Sequence, residues 1–124
     1  MLAGGAVLAA VRGRLAPALW VQALGLALLG VAGCTALLTG DAAGSGFTSD
    51  FRLAIGIDPL SGFFLLVLGA TGAPAAVAAV AYLPRSAHPR AIGVLSGLFP
   101  LALAGLLVAR DPVLFLGFWE VMTL

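Results

Sequence analysis

Long uncharged stretches dominate the chain and predict three membrane-spanning helices. Residues 15–38, 59–84 and 91–109 contain no Asp, Glu, Lys or Arg. Because a helix rises about 1.5 Å per residue, about 20 apolar residues cross the roughly 30 Å hydrocarbon core of a bilayer. The sequence therefore predicts an all-α protein, a multispanning transmembrane helix bundle, with helices at about 15–38, 58–84 and 91–109.

Two shorter apolar segments flank these three helices. Residues 1–11 are apolar and precede Arg12 and Arg14, whereas a secretory signal has its basic residues first. We interpret residues 1–14 as a truncated first helix or an interfacial segment. Residues 112–124 start a further helix but reach only about 20 Å, so this helix is expected to be incomplete. Residues 15–124 are thus expected to form the N-terminal part of a longer membrane protein.

Positive charge alternates between the connections and predicts the orientation. Arg12 and Arg14 precede the first full span, and Arg85 and Arg90 lie between the second and third spans. The other connections are acidic or balanced in charge. The positive-inside rule places the arginine-rich connections in the cytoplasm, as expected for a multi-pass protein of the bacterial plasma (inner) membrane.

The connection on the predicted outer side has the pattern of a strand. It runs over residues 39–57, starts with a Gly/Ser-rich turn and, from Phe47 onward, alternates apolar with polar or small residues. A period of two is typical of a β-strand with one buried face. We expect a short extracytoplasmic strand or hairpin here, lying over the membrane-facing surface.

Two Asp-Pro pairs, at 58–59 and 111–112, predict helix starts at the same side. Aspartate is a preferred N-cap residue, and proline is tolerated at the first helical position because its missing N–H would have no partner there. We therefore interpret Asp58 and Asp111 as helix caps in preference to proton carriers.

The composition excludes several functional classes. Hydrophobic residues make up 62% of the 124 residues, charged residues make up 9%, and the net charge is +1. Such a chain has neither the polar surface of a soluble domain nor the basic face of a nucleic-acid-binding protein, so its expected partner is the lipid bilayer. A single Cys34 and a single His88 exclude a disulfide scaffold or a zinc module. We find no catalytic triad, phosphate-binding loop or metal-ligand cluster, and predict no cofactor, no metal and no catalytic residue in this chain.

Glu120 is the principal candidate for a functional residue. In a helix that begins at Pro112 it lies about 12 Å from the helix start, near the middle of a bilayer. A carboxylate there costs a few kcal/mol, and hydrocarbon favours its neutral form, so such a residue is by default a candidate for proton transfer. The alternative is a neutral glutamic acid that forms a hydrogen bond to a neighbouring helix and stabilises packing.

Pro74 and Pro100 fall near the middle of the second and third spans. A proline removes one helical hydrogen bond and frees the carbonyl four residues earlier, here those of Ala70 and Ser96. One hypothesis is that these helix breaks line an ion path. The alternative is that each proline causes an ordinary kink.

Two motifs resemble a known family. The run 57–66, IDPLSGFFLL, resembles the start of the third helix of antiporter-like membrane subunits, and the run 110–124, RDPVLFLGFWEVMTL, resembles the start of their fifth helix. These subunits occur in respiratory complex I (NADH:quinone oxidoreductase), in Mrp-type cation/proton antiporters and in membrane-bound hydrogenases. The first motif is most similar to that of hydrogenase-4 component B, a formate hydrogenlyase membrane subunit.

The resemblance implies a role in proton translocation. Glu120 matches the family's fifth-helix glutamate, a proton-transfer residue paired with a lysine two helices on, although this chain contains no lysine. Redox chemistry would take place in other membrane and hydrophilic subunits of a hydrogenase or complex I-like assembly. Two alternatives stay open, namely a Mrp-like cation/proton antiporter subunit and a structural membrane anchor of such a complex.

Overall fold

Four helices make up most of the computed structural model, which describes residues 15–49, 52–85 and 87–123. The predicted segment at 1–14 lies outside the described residues. The helices are α1 (Leu15–Thr39), α2 (Pro59–Tyr82), α3 (Pro89–Val108) and α4 (Pro112–Thr123), with strands β1 (Ala43–Gly44) and β2 (Gly56–Ile57) and a 3₁₀ turn at Leu83–Arg85.

The described chain belongs to the all-α class, and three of its helices are long and apolar enough to cross a membrane. These are α1, α2 and α3, whose bounds lie close to those expected from the uncharged stretches. Many of their large apolar side chains are exposed, which is compatible with contact to lipid. The fourth helix, α4, has 12 residues and no buried side chain.

Glycines bring α1 and α2 into close contact. Gly30 faces Gly69 and Gly33 faces Gly62, so that the two backbones touch. A Cβ atom added at Gly69 would lie 2.5 Å from the Cα atom of Gly30. In a bilayer, where no hydrophobic effect drives helices together, such backbone proximity supplies much of the packing contact. The contact between α1 and α2 is therefore the closest helix contact among the described residues.

The remaining helices pack less closely. Helix α3 contacts both α1 and α2, and α4 packs mainly against α3, where the ring of Phe118 covers Gly105. A small apolar core, made by Leu19, Ala79 and Leu83, lies where the 3₁₀ turn follows α2. We call this the arginine end, because Arg85 and Arg90 are there, and the other end the hairpin end.

The hairpin is shorter than the alternating pattern predicted. Among the described residues, Ala43 pairs with Ile57 and Gly44 with Gly56, in antiparallel register, and Ile55 forms a bridge to Ala109. Elsewhere in the described part of the connection, backbone groups form hydrogen bonds outside the hairpin. The N–H of Thr48 donates to the carbonyl of Arg110 at 2.9 Å, and the N–H of Arg110 donates to the carbonyl of Ala54 at 2.8 Å. The connection between α1 and α2 is thus fastened to that between α3 and α4.

We expect Gly69→Ala to destabilise the fold by about 1–3 kcal/mol, because the added methyl group meets backbone atoms that have no rotamer to change. The matched control is Gly117→Ala in α4, where an added Cβ meets no atom of the described residues within 4 Å. Alanine is the better helix former, so the control keeps or slightly raises the stability. The midpoint of unfolding in an SDS titration of the detergent-solubilised protein measures both. Equal midpoints for the two variants would contradict the packing described here.

Candidate functional site

Two aspartates cap helices at the hairpin end. One carboxylate oxygen of Asp58, Oδ1, accepts a hydrogen bond of 2.7 Å from the N–H of Ser61, at the start of α2. Oδ1 of Asp111 accepts from the N–H groups of Val113 and Leu114, each at 3.0 Å, at the start of α4. Both contacts satisfy N–H groups that have no partner within their own helix. These are the capping positions expected from the two Asp-Pro pairs.

The second oxygen of each carboxylate joins its helix to another segment. Oδ2 of Asp58 lies 3.0 Å from an Nη atom of Arg110, in the α3–α4 connection. Oδ2 of Asp111 accepts from the N–H of Ala54, in the α1–α2 connection, at 3.0 Å. Each aspartate therefore caps one helix and at the same time holds a segment distant in sequence.

Arg110 lies at the centre of this arrangement and is only 6% exposed. Besides Asp58, its guanidinium donates to Oγ of Ser61 at 3.0 Å, and its Cζ lies 4.8 Å from the centre of the Phe47 ring. The hydroxyl of Ser61 in turn donates to the carbonyl of Leu107 at 2.8 Å. A buried charge requires such partners, since an unpaired one is strongly destabilising. We call Asp58, Ser61, Arg110 and Asp111 the hairpin-end cluster.

Hydrogen bonds keep both aspartates of the cluster ionised. The backbone N–H of Ser61 is the main cause that lowers the pKa of Asp58, and the Arg110 charge lowers it further. The pKa of Asp111 is lowered by the backbone N–H groups of Ala54, Leu114 and Val113. Burial opposes the shift in both cases but does not reverse it. The cluster is thus a structural ion pair with a second, hydrogen-bonded carboxylate beside it.

Glu120 lies apart from this cluster, on an exposed part of α4. Its backbone carbonyl accepts from Thr123 Oγ1 at 2.9 Å, but no described residue donates to its carboxylate or pairs with its charge. Within the part of the chain that the structure describes, no group of three His, Cys, Asp or Glu residues is placed to hold a metal ion. Glu120 is therefore available to a group outside the described residues.

The two prolines lie on different surfaces of the helix assembly. Helices α2 and α3 both continue through them. Pro100 is buried and lines a cavity between α1, α2 and α3, next to Gln22 and Ser96. Pro74 is exposed and lines a groove along the outside of the α1–α2 pair. The cavity that Pro100 lines does not include Pro74, and the groove that Pro74 lines does not include Pro100.

Sequence reasoning missed the central role of Arg110, which it treated as part of a charge-balanced connection. The sequence does contain a signal for this ion pair. Asp58 and Arg110 lie in the two connections that the charge pattern places on the outer side, and an arginine buried there would need a carboxylate as its partner. It also missed that Gln22, the strongest polar interruption of the first span, is only 1% exposed and faces α3.

No protein-family model, curated protein or solved structure matches the chain.

The ion pair of Asp58 and Arg110 predicts energetic coupling between the two residues. Arg110→Leu leaves the Asp58 carboxylate without its cation, whereas Asp58→Asn keeps an N-cap side chain but removes the charge. We expect the double variant to lose less free energy of unfolding than the two single variants lose together, with a coupling energy of about 1 kcal/mol or more. Unfolding midpoints of the two single variants and the double variant measure this coupling. Arg52→Leu, at an exposed arginine of the α1–α2 connection, is the control, and additive effects at Asp58 and Arg110 would refute the coupling.

The hairpin end is expected to loosen in acid. Because the pKa of Asp111 is lower in the folded state than in the unfolded chain, its contribution is fully present above about pH 4 and is lost as the pH falls through the lower, folded value. Hydrogen-exchange protection of the Ala54 amide, which donates to Asp111, should fall over this range. The Ala109 amide donates to the Gly105 carbonyl and serves as the reference. Parallel loss of protection at both amides would argue against a local role of Asp111.

Proposed function

We propose that this chain is the N-terminal part of an antiporter-like membrane subunit in a redox-driven proton-translocating complex. The complex is of the hydrogenase-4 (formate hydrogenlyase) or NADH:quinone oxidoreductase type. In this proposal α1, α2 and α3 cross the bacterial plasma membrane and α4 begins a further crossing. Glu120 carries the proton, and electron transfer takes place in other subunits.

The observation that carries this proposal is the contact between the two motifs. Asp58 and Ser61 belong to the first motif and Arg110 and Asp111 to the second, yet Asp58 and Ser61 each lie 3.0 Å from the Arg110 guanidinium. The contact gives the two motifs a common structural role at one end of the helices. Their contact supports reading them as two parts of one inherited arrangement.

The placement of Glu120 is consistent with proton transfer between helices. From Pro112 at the hairpin end, a helical rise of about 1.5 Å per residue carries Glu120 about 12 Å toward the centre of the assembly. A carboxyl group at that depth in a bilayer requires a partner or water. Because no described residue supplies one, the partner would come from another helix, as the resemblance implies for a lysine.

The proposal predicts that Glu120→Gln abolishes most proton translocation. Glutamine has the shape of glutamic acid but cannot release a proton, so we expect at least a tenfold loss of proton uptake driven by the electron donor. The assay uses inverted membrane vesicles that contain the full-length subunit in its complex. Glu120→Asp, which keeps a carboxyl group, should retain part of the uptake, and Val121→Ala, at the adjacent exposed position, should retain all of it.

The same vesicles separate the alternatives. If Glu120→Gln leaves proton uptake unchanged, Glu120 is not the proton carrier. If Glu120→Gln or Glu120→Ala affects only the assembly of the complex, the chain is a structural anchor. Sodium-dependent proton movement in vesicles without any electron donor would favour a Mrp-like cation/proton antiporter subunit.

A further inference from the structure

A groove runs along the outside of the α1–α2 pair, and small or apolar side chains line it. It has two adjoining parts, which share Ala73 and Pro74 of α2. Trp20 and Ala78 line the part nearer the arginine end, and Leu66 lines the other part. From Leu66 to Ala78 the groove spans about 18 Å, at about 1.5 Å per residue. An acyl chain lying in it can therefore cross the roughly 15 Å that make up half of the hydrocarbon core.

Arg85 lies where this groove meets the arginine end. Its guanidinium donates to the carbonyl of Ala81. Ala81 comes four residues after Val77 and seven after Pro74, both of which line the groove. Residues at these spacings share one face of a helix, so Ala81 continues the line of the groove beyond Ala78. The exposed side chain of Arg85 thus places a positive charge at the mouth of the groove.

A carboxylate partner for Arg85 is absent from the described residues, whose ion pair joins Arg110 to Asp58 at the other end. About 35 Å of helix α2 separates Asp58 from Arg85. A second exposed arginine, Arg90, lies near the start of α3 at the same end as Arg85. The acidic residues of the chain belong to the two connections at the hairpin end or to α4, namely Asp41, Asp50, Asp58, Asp111 and Glu120. The charge at the mouth of the groove therefore requires an anion from outside the described residues.

The lining and the charge together select the occupant of the groove. The apolar lining suits a hydrocarbon chain, and the guanidinium of Arg85 suits a phosphate group, which it can bind through several N–H donors. A phospholipid carries both groups in this order, with the phosphate at the membrane surface. A transmembrane helix of a partner fits less well, because helix ends on the arginine-rich side of a membrane carry an excess of Lys and Arg. Such a helix end would bring like charge to Arg85.

We propose that the groove binds an anionic phospholipid, with its acyl chain along α1 and α2 and its phosphate paired with Arg85. A headgroup with net negative charge is preferred over a zwitterionic one, because the field of a basic residue at a membrane surface attracts net negative charge. For one arginine this preference corresponds to about fivefold in binding. The site requires α1 and α2 to lie in a bilayer, but it does not depend on proton translocation by Glu120.

The fluorescence of Trp20 tests which lipid occupies the groove. In the variant Trp119→Phe, Trp20 is the only tryptophan of the chain, and it lines the groove. The full chain is reconstituted in mixtures of phosphatidylglycerol and phosphatidylcholine, in which one lipid at a time carries brominated acyl chains that quench indole on contact. We expect the relative association constant from quenching to favour phosphatidylglycerol by about fivefold. This preference should fall as the ionic strength rises, because salt screens exposed charges.

Arg85→Gln in the same background tests the cation. We expect the preference for phosphatidylglycerol to fall to nearly one, whereas Arg52→Gln, at an exposed arginine of the α1–α2 connection, should leave it unchanged. An unchanged preference in Arg85→Gln would overturn the proposal. So would equal quenching by the two lipids when Arg85 is present, and quenching by neither lipid would show that a protein segment covers the groove. If Arg85→Gln cannot be reconstituted, the preference and its salt dependence in Trp119→Phe still decide.

Discussion

The burial of the Arg110 guanidinium is the constraint on which the hairpin end depends. A cation that is 6% exposed must be surrounded by acceptors, and the chain supplies them from separate segments, namely the Asp58 carboxylate and the Ser61 hydroxyl at the start of α2. The Phe47 ring lies against the guanidinium, with its centre 4.8 Å from Cζ. Because Ser61 also donates to Leu107, the same contacts fix the end of α3 beside the start of α2. The connection between α1 and α2 cannot move without disturbing this ion pair.

The interior of the helix assembly follows a different principle. Close contact of Gly30 with Gly69 brings α1 and α2 together without any polar group, whereas α3 approaches α1 through the Gln22 contact to Gly93 and Ser96. Close glycine packing leaves no room between α1 and α2, and the looser approach of α3 leaves the cavity. The three helices thus combine one tight apolar interface with one interface that contains polar contacts.

In the proposed function, the hairpin-end cluster holds the helices in place and Glu120 carries the proton. The hairpin-end cluster is internally satisfied, with both carboxylates ionised and engaged, and is suited to hold helices in place. Glu120 has the opposite character, because it is exposed on α4 and has no partner among the described residues. A proton carrier must exchange its proton with a neighbour. The carboxyl group of Glu120 is free to do so, whereas those of Asp58 and Asp111 are already engaged.

The sequence by itself determined the helices and their starts. Uncharged stretches of sufficient length set α1, α2 and α3, and the pairs Asp58-Pro59 and Asp111-Pro112 set two helix starts, because length and capping are local properties. It also singled out Glu120, since one carboxyl group in an apolar helix is visible without any neighbour. Only the tertiary structure decided that Arg110 pairs with Asp58 and that Gln22 faces Ser96, because each contact joins residues far apart in the chain. The tertiary structure also limits the hairpin, since the backbone of Arg110 forms hydrogen bonds with Thr48 and Ala54 of the same connection.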